Sequence, residues 1–396
     1  MLNFSYFMPT RLIFGAGSLN QLGTTPNLPK GGKALIVISG GGSMLKHGYL
    51  ARVQGLLSEN GVASMVYDKI RPNPESDQVD EAAALCREQG VDFLVGLGGG
   101  SSIDSAKSIA LAAANGGSYW DYIHGGTGGG KMAEKPALPV IAIPTTAGTG
   151  TEADPWTVIT KTGAKEKIGF GNDSTYPALS IVDPELMLTV PPRMTAYTGM
   201  DAFFHAVESF LNLNRQPAND MLALEAVHLI THYLPELVTD PGNLELRTIQ
   251  AWASTAAGIC ESIGGCISHH SLEHALSAMN TDLVHGAGLV MLSVPYFTKL
   301  AELAPEHFED LATAMGFEDV EEMPLEERPK AFLAGLADLI KEIGLADEKL
   351  SDHGFTQDNV TELTDIAFGT MGGLFPVTPG NMTRKDVEEI FSKAIG

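Results

Sequence analysis

With 396 residues, 44% of them apolar and 18% charged, the chain can bury a sizeable core and is longer than one core usually supports. Two domains are therefore expected and a disordered chain is excluded. Its 48 acids against 25 Lys plus Arg give a formal charge of −23, which sets aside nucleic acid and anionic membrane as partners. A phosphorylated cofactor is not set aside, because local amides and helix ends would hold it.

The opening MLNFSYFMPTRLIF has no positively charged leader before an apolar stretch, and no later run has membrane length, so a soluble chain is expected. The first half alternates short apolar runs with helical patterns. Strands are predicted at Ala34–Ser39, Ser64–Asp68, Phe93–Leu97, Val140–Ile143 and Leu179–Asp183, with helices such as Tyr49–Glu59 and Gln78–Gln89 between them. Near-continuous apolar strands separated by helices predict a parallel sheet covered on both faces, with ligands at the carboxyl ends of the strands. His124–Lys131 (HGGTGGGK) reads as a mobile surface loop. Beyond about Pro191 the β-branched runs stop, and Thr195–Leu211, Asp220–Leu237, Leu244–Glu261 and Leu272–Ala278 carry helical periodicity. Thr383-Arg-Lys-Asp386 resembles a capping box opening a last helix through Ile395. The three cysteines, Cys86, Cys260 and Cys266, form no CxxC, so free thiols and a reducing cytoplasm are expected.

Two loops invite a dinucleotide. Gly98-Gly-Gly-Ser-Ser-Ile-Asp-Ser-Ala-Lys107 follows the Phe93–Leu97 strand and opens a helix read as Ile103–Ala113. A glycine run there lets amides approach a pyrophosphate at a helix N-terminus, with Asp104 in the first turn to cap amides or meet a ribose. A plain glycine turn capped by Ser101 is the alternative. Pro144-Thr-Thr-Ala-Gly-Thr-Gly-Thr-Glu152 ends a second buried strand with hydroxyls suited to phosphate or ribose, and two such loops on one sheet suggest one crevice. The first strand ends in Ser39-Gly40-Gly41-Gly42, and no acid lies between Lys33 and Leu50 to repel a 2′-phosphate. That favours NADP(H), or use of both dinucleotides, over strict NAD(H).

The helical half holds a second constellation. Asp201 and His205 are spaced i, i+4, as are His270 and His274, and His285 follows in LVHGAG. On helices such pairs share one face, so four of these groups can close around a divalent cation as one Asp and three His. Imidazole and carboxylate without thiolate suit Fe(II), Zn(II), Co(II) or Mn(II). Glu208 and Glu273 lie on the same helices; Glu273 is placed to orient a ligand, but a solvated or helix-pairing role is the expectation for both.

These residues together resemble the iron-containing (group III) alcohol dehydrogenases. The resemblance runs from Pro9-Thr-Arg-Leu-Ile-Phe-Gly15 and Pro72-Asn-Pro74 through GGGSSIDSAK, PTTAGTGTE and GMDAFFHAVE to the two late histidine segments. It implies an α/β Rossmann-like dinucleotide-binding domain, residues 1–188, followed by an all-α metal-binding domain, residues 189–396, assembled as a homodimer or larger homo-oligomer. It implies Asp201, His205, His270 and His285 as metal ligands, Fe(II) first with Zn(II) as the other candidate, and His274 as a proton relay beside the nicotinamide. His270 is chosen over the adjacent His269 because it pairs with His274. Gly99, Gly100, Ser101 and Asp104 match the pyrophosphate and ribose segment. Thr145, Thr146 and Thr149 match threonines along the cofactor, and Lys167 matches a lysine near its ribose. Asp154-Pro155-Trp156 departs from the pattern and is expected to reshape the substrate pocket.

The implied reaction is reversible hydride transfer between NAD(P)(H) and a small alcohol or aldehyde. A hydroxyacid–oxoacid transhydrogenase and a dehydroquinate-synthase-like lyase are the rival enzymes. The lyase calls for a Glu as first ligand and a basic pocket, which Asp201 and the scarcity of basic residues oppose. A nucleotide- or metal-binding module without turnover is the rival outside enzymology.

Overall fold

The computed structural model describes residues 3–396. Its first half is built on β1 (Arg11–Phe14), β2 (Lys33–Ser39), β3 (Ala63–Ile70), β4 (Phe93–Gly98), β5 (Val140–Pro144) and β8 (Leu179–Val182), all parallel, in the order β1-β8-β5-β4-β2-β3. The central strands are buried along their length because helices cover both faces: α1 (Ser43–Lys46), α2 (Tyr49–Glu59), α3 (Ser76–Gln89) and α4 (Gly100–Asn115). From β2 the chain steps outward to β3 and then returns to the other side of β2 as β4. The order β3-β2-β4-β5-β8 is thus doubly wound in the flavodoxin-like manner, and the topological switch falls between β2 and β4. The glycine runs after β2 and β4 flank that point.

Two features were not legible as elements. β1 is a short edge strand pairing only with β8, and β6 (Thr157–Lys161) with β7 (Glu166–Phe170) forms a separate antiparallel ribbon. The ribbon packs on α4 and α8 and carries Lys167 to the boundary between the two halves. The 124–131 segment is a surface loop, but it is pinned rather than mobile. Thr127 donates through its amide (2.8 Å) and hydroxyl (2.7 Å) to Glu166, and the Gly129 amide donates to the Trp120 carbonyl (3.1 Å).

From Pro192 onward the chain is helical: α5 (Pro192–Leu211), α6 (Pro217–Thr239), α7 (Leu244–Ile263), α8 (Ser268–Met279), α9 (His285–Leu303), α10 (Glu309–Ala314), α11 (Arg328–Glu342), α12 (Val360–Thr370) and α13 (Arg384–Ile395). The last helix opens on the Thr383–Asp386 capping box. No helix among the described residues is long and apolar enough to cross a membrane. Helices α5 and α8 lie deep in the larger apolar core, α5 among other helices and α8 between helices and the β6–β7 ribbon.

The halves meet through backbone contacts. Gly150, at φ +64°, faces Gly258 of α7 so closely that a Cβ on Gly258 would stand 2.1 Å from the Gly150 carbonyl oxygen. Asn73 Nδ2 donates to the Thr281 (2.8 Å) and Leu283 (3.1 Å) carbonyls, holding the chain just ahead of His285. The threonine loop and the histidine segments are thereby set across one cleft.

Candidate metal and dinucleotide site

The structure brings the acid and three of the histidines to one point. Asp201 Oδ1 lies 3.8 Å from His205 Nε2, 3.8 Å from His270 Nε2 and 3.5 Å from His285 Nε2. Asp201 Oδ1 and His270 Nε2 are buried and have no hydrogen-bond partner among the described residues. Leaving such atoms unsatisfied costs about 1–3 kcal/mol each, so a set of this kind calls for something to bind it. Asp201, His270 and His285 offer ligand atoms within 4.8 Å of one another, a set suited to an ion bound at about 2.0–2.2 Å, while His205 falls in a neighbouring group with Cys266 and His270. The residues present fit a divalent cation.

The far sides of two rings are anchored. His270 Nδ1 donates to Glu208 Oε1 at 2.6 Å, and Glu208 Oε2 accepts from the Ile267 amide at 2.9 Å, so this carboxylate also sits at the N-terminus of α8. His285 Nδ1 donates to Glu273 Oε2, which pairs with Lys167 Nζ at 3.2 Å. The expectation that Glu208 and Glu273 are solvated is corrected: both are fully buried, because α5 and α8 have no solvent face here. Burial alone would raise their carboxyls, but His270 and His269 hold Glu208, and His285 and Lys167 hold Glu273, well below the usual range. Asp201, likewise buried, is held down to about 2 by His205 and His285.

His269 turns away from Asp201; its Nδ1 meets Glu208 Oε1 at 2.8 Å and its Nε2 meets the Leu289 carbonyl at 3.1 Å. His274 donates through Nδ1 to the Lys167 carbonyl at 3.2 Å, and burial followed by the Lys167 charge pulls its pKa well down. Lys167 Nζ stands 3.2 Å from His285 Nδ1, at the metal end of the cleft.

On the dinucleotide side, α4 starts at Gly100, three residues before the predicted Ile103, with Gly99 at the N-cap and no side-chain cap. Ser101 is thus inside the helix and Asp104 lies beyond its first turn. Asp104 does not cap amides at the helix start. Its Oδ1 accepts from Thr151 Oγ1 at 2.6 Å and its Oδ2 from the Val158 amide at 2.9 Å. Gly99 and Gly100 back onto the threonine loop: a Cβ on Gly99 would stand 3.1 Å from Thr146 Oγ1, and one on Gly100 would stand 2.5 Å from Thr149 Cγ2. The Thr145 amide donates to the Gly98 carbonyl at 2.9 Å, extending the β4–β5 ladder into both loops. Ser39 to Gly42 end β2 on the same edge of the sheet, with Gly42 at φ +75° leading into α1, and lie outside the lining of the main cleft.

That cleft opens to solvent, and its walls include Gly100, Ser101, Asp104, Thr149, Lys167 and the Asp201 cluster. Three groups lie beyond the predicted set, Lys107 behind the cleft wall and Glu261 and Cys266 in it. Lys107 is fully buried and donates to Thr151 Oγ1 (2.7 Å), the Asp154 carbonyl (2.9 Å), Asp154 Oδ1 (3.1 Å) and the Trp156 carbonyl (2.8 Å). It stands three residues past Asp104, close to one turn further along α4. Glu261 and Cys266 line the cleft; Glu261 Oε2 lies 3.6 Å from His205 Nε2, and Cys266 Sγ lies 3.5 Å from Glu261 Oε1. Neither falls in a spaced motif.

Two family patterns cover the chain: "Iron-containing alcohol dehydrogenase" matches residues 9–184, and "Fe-containing alcohol dehydrogenase family, C-terminal" matches residues 195–395. The NAD-dependent methanol dehydrogenase of Bacillus methanolicus is 34% identical over 92% of this chain and 98% of its own length. The probable NADH-dependent butanol dehydrogenase 2 of Bacillus subtilis is 31% identical over 99% of this chain and 98% of its own. Among solved structures, an archaeal halo-thermophilic alcohol dehydrogenase from a Red Sea brine pool superposes with a TM-score of 0.93 at 34% identity, covering 100% of this chain and 99% of that one. The chain belongs to the iron-containing alcohol dehydrogenase family and is an oxidoreductase that interconverts alcohols and aldehydes with a nicotinamide dinucleotide.

Proposed function

We propose that Asp201, His205, His270 and His285 hold the catalytic cation, Fe(II) first and Zn(II) as the other candidate, within a helical metal-binding domain of residues 189–396. The dinucleotide lies on residues 1–188, its pyrophosphate at Gly99, Gly100 and Ser101 and its length along Thr145, Thr146 and Thr149. The observation that carries this reading is the approach of three Nε2 atoms to within 3.8 Å of one buried, unpartnered carboxylate oxygen across the cleft from a glycine-opened helix. When bound, the cation supplies Lewis-acid polarisation of the alcohol or carbonyl oxygen, and the dinucleotide takes or gives the hydride.

The chain's own residues do the rest. With Nδ1 donating to the Lys167 carbonyl, His274 presents Nε2 as the accepting nitrogen and passes the hydroxyl proton toward solvent. Lys167 neutralises Glu273 and steadies the ring of His285, and its place beside the cofactor ribose is part of the same reading. Asp104, both of whose oxygens already accept hydrogen bonds, shapes the 151–158 segment around the ribose. Trp156, Met371 and Leu374 form apolar wall that excludes water.

The substrate is a small primary alcohol or its aldehyde, as the names of the methanol and butanol dehydrogenases suggest. Those names specify NAD(H). The acid-free end of β2 from Ser39 to Gly42 supports acceptance of a 2′-phosphate as well, so both dinucleotides are taken as substrates. A second copy of the chain is the proposed partner. The half-exposed Phe4, Tyr6 and Phe7 leading into edge strand β1 supply an apolar surface for it. Three buried free thiols suit a cytoplasmic setting.

The deciding assay is aldehyde-dependent oxidation of NADH and NADPH before chelation, after chelation and after Fe(II) or Zn(II) is restored. Loss and recovery of turnover are expected. Turnover that survives complete metal removal would sink the ligand set, and exchange of hydroxyacid for oxoacid without added dinucleotide would point to the transhydrogenase instead.

A further inference from the structure

Four carboxylates line the cleft, and three of them are committed to the fold or to the histidine cluster. Asp104 accepts from Thr151 and Val158, Asp154 accepts from Lys107 and the Trp156 amide, and Asp201 faces the three imidazoles. Glu261 is different. It sits near the C-terminal end of α7, where the Trp156 indole donates to its backbone carbonyl at 3.2 Å. Its side chain is 14% exposed, and its Oε1 meets only the Cys266 thiol at 3.5 Å, a weak donor. Its Oε2 lies 3.6 Å from His205 Nε2, in the wall of the cleft beside the proposed cation ligands. Trp156, Met371 and Leu374 line the same cleft with apolar surface. A carboxylate largely withdrawn from water and short of donors favours a ligand that brings one.

We infer that Glu261 sets substrate specificity by accepting a hydrogen bond from a second donor group of the alcohol, a hydroxyl or an ammonium, a short carbon chain away from the reacting carbon. The inference rests on the ligand set and alcohol chemistry proposed above. The cleft then favours diols and amino alcohols over plain alkanols of matched length. A site built to pair a polar group discriminates against an analogue lacking it, because the protein group is then left unpaired.

The test uses the metal-loaded protein as wild type, Glu261→Gln and Glu261→Leu. It compares kcat/KM for 1,3-propanediol, 3-amino-1-propanol and 1-butanol, with metal content measured on every preparation. The ratio of either bifunctional alcohol to 1-butanol is expected to fall about 10- to 150-fold in Glu261→Leu, mainly through KM, the range for losing one hydrogen bond to a charged group. Glu261→Gln retains part of the diol preference and loses that for the ammonium. A fall confined to the diol or to the amino alcohol supports the inference and says which donor is read. Unchanged ratios overturn it, and so does loss of metal in Glu261→Gln, which would make Glu261 a ligand. If wild type oxidises none of the three with metal and dinucleotide present, the functional reading beneath the inference fails as well.

Discussion

His270 on α8 donates through Nδ1 to Glu208 Oε1 on α5 at 2.6 Å, and this contact turns its Nε2 toward Asp201. The neighbouring His269 shares the same carboxylate but turns its Nε2 to the Leu289 carbonyl. One buried glutamate therefore sorts two adjacent imidazoles into different roles, facing one toward the cleft and the other into the core. Such outer partners fix the tautomer and raise the basicity of the nitrogen that faces a metal.

Replacing Glu208 by Gln keeps the shape of the contact but removes its charge. Metal affinity, read by competition with a graded chelator, should fall about 10- to 100-fold, the usual cost of a lost outer partner. Because Glu208 also receives the Ile267 amide at the start of α8, urea unfolding of the metal-free protein should register a loss of about 1–3 kcal/mol. Unaltered metal affinity would mean the ring of His270 is oriented by other contacts.

His285→Ala and His274→Gln separate holding the metal from moving the proton. The first should lose bound metal, measured by elemental analysis, together with turnover. The second should retain metal and lose turnover by about 10²- to 10⁴-fold, the range for general acid–base groups. Metal loss in His274→Gln would place that side chain among the ligands.

The pH dependence of metal retention follows from which groups titrate. Asp201 is depressed to about 2 from an ordinary 3.8, so its contribution is complete above 3.8 and is lost only as pH falls through about 2. His285 lies below its ordinary 6.5, chiefly through burial, so its ring stays neutral to lower pH, whereas, despite burial, Cys266 and Glu208 hold His270 well above 6.5, so protons compete with a metal at His270 first. Metal bound after dialysis should therefore decline as pH drops from 7 to 5, through the imidazoles competing for protons, with Asp201 still ionised. Retention that stays flat down to pH 4 would contradict this.

Lys107 tests how the cofactor loops are held. Its ammonium is fully buried and feeds Thr151, Asp154 and the Trp156 carbonyl at once. Lys107→Met leaves the Asp154 carboxylate without its charge partner, and removing one side of a buried pair costs about 3–5 kcal/mol. Unfolding should shift by that amount, and the dinucleotide KM should rise as the 151–156 segment relaxes. Stability within error of wild type would show that Asp154 finds another partner.

The central strands were legible because parallel strands buried on both faces read as unbroken apolar runs, as in Ala34 to Ile38. The Asp201–His205 and His270–His274 pairs were legible because helical spacing puts each pair on one face. The ribbon of β6 and β7 was not. Its Glu166 and Lys167 are charged yet buried, and its strands interleave threonine, lysine and glycine, so no alternation marks it. The expectation of a solvated Glu208 and Glu273 assumed that each helix kept a wet face, which α5 and α8 do not. Glu261 shows a further limit, since its place beside His205 depends on how α7 crosses α5, and no spacing along the chain encodes that crossing.

The crossing itself can be tested at Gly258. In α7 this residue lets the helix approach the backbone of Gly150, whose φ of +64° suits glycine and whose carbonyl oxygen would stand 2.1 Å from a Cβ added at position 258. Gly258→Ala adds one methyl group where backbone, which cannot swing aside as a side chain can, already fills the space. The helix and the threonine loop must part, at about 1–3 kcal/mol for overpacking of this kind. Since the loop belongs to the dinucleotide side and α7 carries Glu261 toward the histidines, widening the seam should weaken cofactor binding and substrate turnover together while bound metal is retained. Calorimetric titration with the dinucleotide, beside elemental analysis, reads both, and undiminished cofactor affinity in Gly258→Ala would show that the two halves are not held in register at this contact.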